Sequence, residues 1–187
     1  MSGSRRNRIP QRKRIFIGCE GESERSYTAL LQQLLGSHAE FHLVAEVLNG
    51  GDPLALLESA EKALRRDRAL ARDPFFQRFV ILDSDLRGRS AHRDELCLRI
   101  ARNLGIHLIW QDPCHEAVLL RHLLDCERRR PPTSRESEEQ LRAVWPTYVK
   151  NFGRDRLSER IDVAALLRVH REEPELAILL RLIKLVE

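Results

Sequence analysis

Two aspartates one residue apart, Asp83 and Asp85, are the residues best placed to do chemistry in this chain. They follow Phe79, Val80, Ile81 and Leu82, a β-branched and aromatic run of the kind that forms a buried strand. Side chains alternate along a strand, so the two carboxylates are expected to point the same way, about 6–7 Å apart if the chain stays extended. Two like charges at 4 Å repel by about 4 kcal/mol at an effective dielectric near 20. A hard cation such as Mg²⁺ (or Mn²⁺) relieves that repulsion. A lone pair of this kind has a second reading, a turn that caps the next helix.

A further acidic element earlier in the chain favours the cation. Ile15 to Cys19 reads as a first strand, and Glu20-Gly21-Glu22-Ser23-Glu24 follows at once. Gly21 permits a tight turn, and Ser23 is expected to cap the helix carrying Tyr27, Leu30, Leu31 and Leu34, which Gly36 closes. Phe41–Leu48 is a second strand. Asp52 and Pro53 supply the N-cap and first position of a helix lined by Leu54, Leu57, Ala60 and Leu64. After the Asp83 strand, a helix is expected from Ser90 to Leu104, then a strand over Ile106–Trp110 and a helix from Cys114 or His115 to Cys126.

Strands alternating with helices predict an α/β fold, a mainly parallel sheet flanked by helices. In such sheets the chemistry gathers beyond the carboxyl ends of the strands. Glu20, Asp83, Asp85 and Glu116 should all fall on that edge. Four converging carboxylates can hold a cation and shuttle protons near a phosphate.

The remaining features bound the protein class. The chain has 187 residues, 42% hydrophobic and 32% charged, with a formal charge of +4. Residues 1–14 hold Arg5, Arg6, Arg8, Arg12, Lys13 and Arg14 and no acid, so the remainder carries −2. That segment reads either as a disordered basic arm on a core spanning 15–126, reaching for the phosphates of nucleic acid, or as a solubilising leader. Residues 127–139 are polar and proline-containing and read as a mobile loop, ahead of a helical C-terminal extension packed on the core, to residue 187. Cys19, Cys97, Cys114 and Cys126 lack metal-finger spacing. With no signal-peptide pattern, they point to a reducing, cytoplasmic setting. The longest apolar run, Ala177–Val186, is broken by Arg181 and Lys184 and too short to span a bilayer, so no membrane partner is expected.

The order Glu-Gly after strand one and Asp-x-Asp-x-x-Gly after strand three resembles the Toprim (Rossmannoid) domain of topoisomerases, primases and OLD-type nucleases. Three segments resemble the RloB family of bacterial, phage-defence-associated proteins more closely: Cys19–Glu24, Asp83-Ser84-Asp85, and Asp112-Pro113-Cys114-His115-Glu116 through His122. Tyr148-Val149-Lys150 fits that family's Tyr-x-Lys element. His115 and Val118 depart from its pattern, standing where aromatic residues are usual. The resemblance implies Glu20 as general acid/base and metal-site residue, Asp83 and Asp85 as Mg²⁺ ligands, and Glu116 as a further catalytic carboxylate. Glu24, His122 and Lys150 are additional site candidates, His122 also reading as a satisfied core histidine and Lys150 as a surface lysine. The implied activity is phosphodiester hydrolysis in DNA or RNA, with a partner ATPase of the AAA or ABC type by analogy. A nucleic-acid-binding or effector-assembly subunit without catalysis is the alternative. A phosphatase of the haloacid dehalogenase type fits less well, because its Asp-x-Asp ends the first strand rather than the third.

Overall fold

A computed structural model describes residues 12–37 and 39–187. Four strands, β1 (Lys13–Cys19), β2 (Phe41–Val47), β3 (Gln77–Asp83) and β4 (Ile106–Gln111), form one all-parallel sheet in the order β2-β1-β3-β4. The helices α1 (Glu22–Leu35), α2 (Pro53–Ala69), α3 (Ala91–Leu104) and α4 (His115–His122) follow the strands in turn. The C-terminal region adds α5 (Ser134–Val144), α6 (Arg154–Leu157), α7 (Val163–Val169) and α8 (Pro174–Leu182), making eight helices among the described residues. This is the α/β Rossmann-like, Toprim-like architecture that the alternating pattern predicts.

Period-two alternation divides the strand side chains between two cores. Ile15, Ile17, Cys19, Phe79, Ile81 and Ile109 face α1, α4 and the C-terminal helices. Phe16, Val80 and Leu82 face α2 and α3. Gly18 belongs to the second face, and a Cβ there would stand 2.9 Å from a Leu48 methyl and 3.0 Å from one of Val80, so only glycine lets these groups close over the strand. Local signals set the helix ends. Asp52 accepts the Ala55 N–H at 2.9 Å as the N-cap of α2, and Gly105, with φ 60°, terminates α3 in the left-handed region that glycine adopts freely.

Four expectations need correction. The first strand begins at Lys13, so Arg12, Lys13 and Arg14 belong to the folded body. Arg14 grips Asp67 with two N–H groups, at 2.6 and 3.1 Å, and Lys13 meets Glu40 at 2.6 Å. Arg5, Arg6 and Arg8 lie outside the described residues. Ser23 is not the cap of α1: Gly21 holds that position, and the Glu24 carboxylate receives its N–H at 2.8 Å. The segment 127–139 is not one loop, because α5 starts at Ser134 with Thr133 accepting the Glu136 N–H. Finally, α4 stops at His122 instead of Cys126. The His122 carbonyl is taken by the Arg168 guanidinium of α7, at 2.9 and 3.2 Å, and the Cys126 N–H turns to Leu123 instead.

The C-terminal helices are part of the main core. Leu141, Trp145, Tyr148, Leu157, Ile161, Leu166, Leu179 and Leu180 are buried in the α1/α4 cluster. All four cysteines are free and buried. No helix among the described residues is long and apolar enough to cross a membrane.

Candidate active site

Parallel register brings the ends of all four strands to one edge. Cys19 lies opposite Val47 on one side and Ile81 on the other, and Asp83 lies opposite Gln111. Asp83 shares the face of Phe79 and Ile81, so it is carried toward α1 and α4. Glu20, the first residue past β1, accepts the Asp83 backbone N–H at 3.0 Å. Glu24, buried in the first turn of α1, holds the Gly21 N–H with one oxygen; the other lies 3.8 Å from His115 Nδ1. Glu116, in the first turn of α4, is buried with only 4% exposure. It accepts a hydrogen bond from the Tyr148 hydroxyl at 3.3 Å, and Lys150 Nζ stands 3.9 Å from the same oxygen.

Burial first, and then the mutual repulsion of the carboxylates, set the electrostatics of this edge. Burial, followed by the charges of Glu20, Glu24, Glu116 and Asp85, pushes the Asp83 carboxyl up to about 9. Its Oδ1 is buried and without a hydrogen-bond partner. Burial and the same neighbourhood raise Glu20, against the opposing Asp83 N–H and Lys150. In Glu116, burial pushes upward as the largest single influence, yet His115, Lys150 and local hydrogen bonds together hold it below the ordinary carboxylate range. Lys150 is held above its usual range, chiefly by Glu116 and then by Asp83, with its own burial opposing.

Asp85 departs from the strand argument. β3 ends at Asp83, because the Ser84 N–H turns to the Gln111 and Pro113 carbonyls at 3.0 and 3.1 Å. Asp85 therefore sits exposed in a turn, with the Ser134 hydroxyl of α5 at 3.3 Å. It remains close enough to raise both Asp83 and Glu20. His122 is in the core instead of at the edge. Its Nε2 pairs with the Tyr27 hydroxyl at 2.9 Å and its Nδ1 with the Val118 carbonyl at 2.8 Å. Full burial depresses it to about 3 and keeps the imidazole neutral.

The structure also recruits Gln111, His115 and Tyr148. Gln111 Nε2 lies 2.7 Å from His115 Nδ1, while Gln111 Oε1 and His115 Nε2 are buried without partners. A polar residue ending an apolar strand in register with Asp83 was the available signal for Gln111. The latch formed by residues 148–151 carried none beyond the Tyr-x-Lys pattern: Tyr148 and Lys150 meet Glu116, and Asn151 accepts the Ser23 hydroxyl at 2.9 Å.

The model of the family described as RloB-like protein matches residues 15–174. The chain belongs to the RloB-like family. No curated protein and no solved structure matches it. The matched span takes in every carboxylate described above and the helical C-terminal region through the start of α8. In this RloB-like chain the family segments meet in space: Glu20 hydrogen-bonds Asp83, the Tyr148-x-Lys150 pair meets Glu116, and Ser84 Oγ bonds Asp112 at 2.9 Å.

The donor chemistry of this edge suits a hard divalent cation. The donors are carboxylate oxygens, and the orphaned Asp83 Oδ1 has no protein hydrogen to satisfy it. Among the described residues, no three His, Cys, Asp or Glu side chains stand together as an ion-holding group. Glu20 is engaged by the Asp83 N–H and Asp85 by the Ser134 hydroxyl.

Proposed function

We propose that this RloB-like chain is a Mg²⁺- or Mn²⁺-dependent nuclease that hydrolyses phosphodiester bonds in DNA or RNA, acting in the cytoplasm in bacterial anti-phage defence. One observation carries the reading: a buried, unpartnered Asp83 oxygen, within electrostatic reach of Glu20, Glu24, Glu116 and Asp85, on the edge of a parallel sheet where substrates bind. Asp83, with Glu20 and Asp85, would hold the cation. A divalent cation held by them would supply charge neutralisation at the scissile phosphate and a more acidic water. Glu20, whose carboxyl is raised by burial and its acidic neighbours, is placed to carry a proton at Oε. Lys150 stands beside the carboxylates and offers a compact positive charge to a phosphate oxygen. Glu116 fixes that lysine and is itself oriented by Tyr148. Arg5, Arg6 and Arg8 remain candidates for binding phosphates outside the site.

A second reading, a non-catalytic nucleic-acid-binding or effector-assembly subunit working with a partner ATPase, is favoured by the lack of a ready ion-holding cluster among the described residues. Purified protein incubated with a panel of single- and double-stranded DNA and RNA separates the two. Cleavage that requires Mg²⁺ or Mn²⁺, and that Glu20→Gln removes, supports the nuclease. Binding without cleavage, with or without candidate ATPases, supports the subunit.

A further inference from the structure

Beyond the carboxylate edge, the opposite face of the sheet carries a small cavity of about 130 Å³ lined by Arg87, Asp94, Cys97, Leu98 and Trp110. Trp110 is the penultimate residue of β4, one position before Gln111, and alternation turns it toward α3. Its backbone is fixed, because its N–H donates to Glu175 of α8 at 3.2 Å. The Arg87 guanidinium lies over the indole, 4.7 Å from its centre, and forms no ion pair among the described residues. The turn bearing Arg87 is pinned as well: its N–H bonds the Ser84 carbonyl at 2.9 Å, and the Gly88 N–H bonds Asp94 Oδ2 at 2.8 Å. Leu98 supplies an apolar wall that is 42% exposed. A cavity of about 240 Å³ adjoins across Asp94 and is lined in part by Arg89, which is exposed and also unpaired among the described residues.

Size, chemistry and position agree on one occupant. An enclosed cavity of about 150 Å³ admits a benzene ring; at about 130 Å³, and open on the side of the exposed Leu98, this slot seats the face of one planar ring with its edge in solvent. Aromatic and guanidinium surfaces stack on a base whatever its sequence, and the carboxylate of Asp94 can accept a ring or exocyclic N–H. An exposed arginine beside such a slot meets the phosphate of the same nucleotide. The slot begins on the loop that leaves Asp83. We infer that Arg87, Asp94, Leu98 and Trp110 form a nucleobase subsite, which receives the base of a neighbouring nucleotide while the scissile phosphate lies at the carboxylate edge. The subsite rests on the nuclease reading for its role and not for its binding chemistry.

The test reads binding alone. Trp110 and the fully buried Trp145 are the two tryptophans of the chain, so quenching of intrinsic fluorescence reports on Trp110. Wild-type protein in EDTA and the Asp83→Asn chain are each titrated with octathymidylate, octauridylate and an abasic octamer of the same charge. The expected result is quenching by a base-bearing octamer and not by the abasic one, lost in Trp110→Phe. Leu98→Asn, a neutral change at an exposed position that leaves the core intact, should weaken the base-bearing octamer by about 5-fold or more and leave the abasic one unchanged. Equal affinity for abasic and base-bearing octamers, no quenching by either, or an unaffected Leu98→Asn chain overturns the subsite. Base-dependent quenching in a protein that cleaves nothing would retain the subsite and remove the nuclease reading; cleavage without quenching would do the reverse.

Discussion

Replacing Asp83 with Asn should change how stability responds to pH, and the size of that change follows from the site. In the metal-free fold the Asp83 carboxyl is raised from an ordinary 3.8 to about 9, by burial first and then by Glu20, Glu24, Glu116 and Asp85. Between those values the folded protein binds a proton that the unfolded chain does not. Stability from this group is therefore complete below about pH 3.8, and declines as pH rises until it is spent near pH 9. The slope is at most about 1.4 kcal/mol per pH unit, so the cost at pH 7 reaches about 4 kcal/mol, an upper figure because the side chain is partly open to water. Asn cannot ionise and escapes this cost. Urea unfolding of both proteins in EDTA at pH 5, 6, 7 and 8 should show the variant gaining steadily on the wild type, with Mg²⁺ restoring the wild type alone. A stability difference that stays flat from pH 5 to 8, or a variant that loses ground at pH 8, would refute the picture of an overcrowded anionic edge.

Further outcomes follow from particular residues. Glu20→Gln keeps the size of the side chain but cannot exchange a proton at neutral pH, so cleavage should fall about 10²–10⁴-fold, while cation affinity, measured by calorimetry, falls less than in the Asp83 and Asp85 double replacement. His122→Phe leaves the Tyr27 hydroxyl buried without its partner and should cost about 1–3 kcal/mol in urea unfolding; cleavage per folded molecule should not change, since His122 lies in the core. Deleting residues 1–11 removes Arg5, Arg6 and Arg8, and should flatten the slope of log affinity against log salt by about 2–3, because each phosphate that a basic side chain neutralises adds about 0.7–0.9 to it. An unchanged slope would make that segment a passive leader.

Much of the positioning framework was legible because it rests on local rules. Short apolar runs marked β1 to β4, Asp52-Pro53 and Ser90 marked helix starts, and Gly36 marked a helix end. What escaped depends on partners distant in sequence. Ser23 looks like a cap, but its hydroxyl goes to Asn151, 128 residues away. The spacing of Asp83 and Asp85 implied a shared direction only while the strand continued, and the Gln111 and Pro113 carbonyls end it between them. α5 hid in a charged stretch because Ser137 and Leu141 are its only buried positions. His122 was ambiguous on a leucine-rich helix until Tyr27 closed over it. The early end of α4 needed Arg168, which lies 46 residues beyond the carbonyl it captures. For the site itself, the acidic residues could be read from the sequence, but not which oxygen would be left without a partner.

The most direct measurement of the central claim is calorimetric titration of Mg²⁺ or Mn²⁺ into the metal-free protein at pH 7, repeated in buffers of different ionisation enthalpy. Because Asp83 holds a proton at that pH when its carboxyl sits near 9, a cation taken up by its oxygens must displace that proton. The account predicts binding with release of about one proton per cation, and loss of both signals when Asp83 and Asp85 are replaced together by Asn. Heats that do not depend on the buffer, or a cation affinity that survives the double replacement, would contradict it.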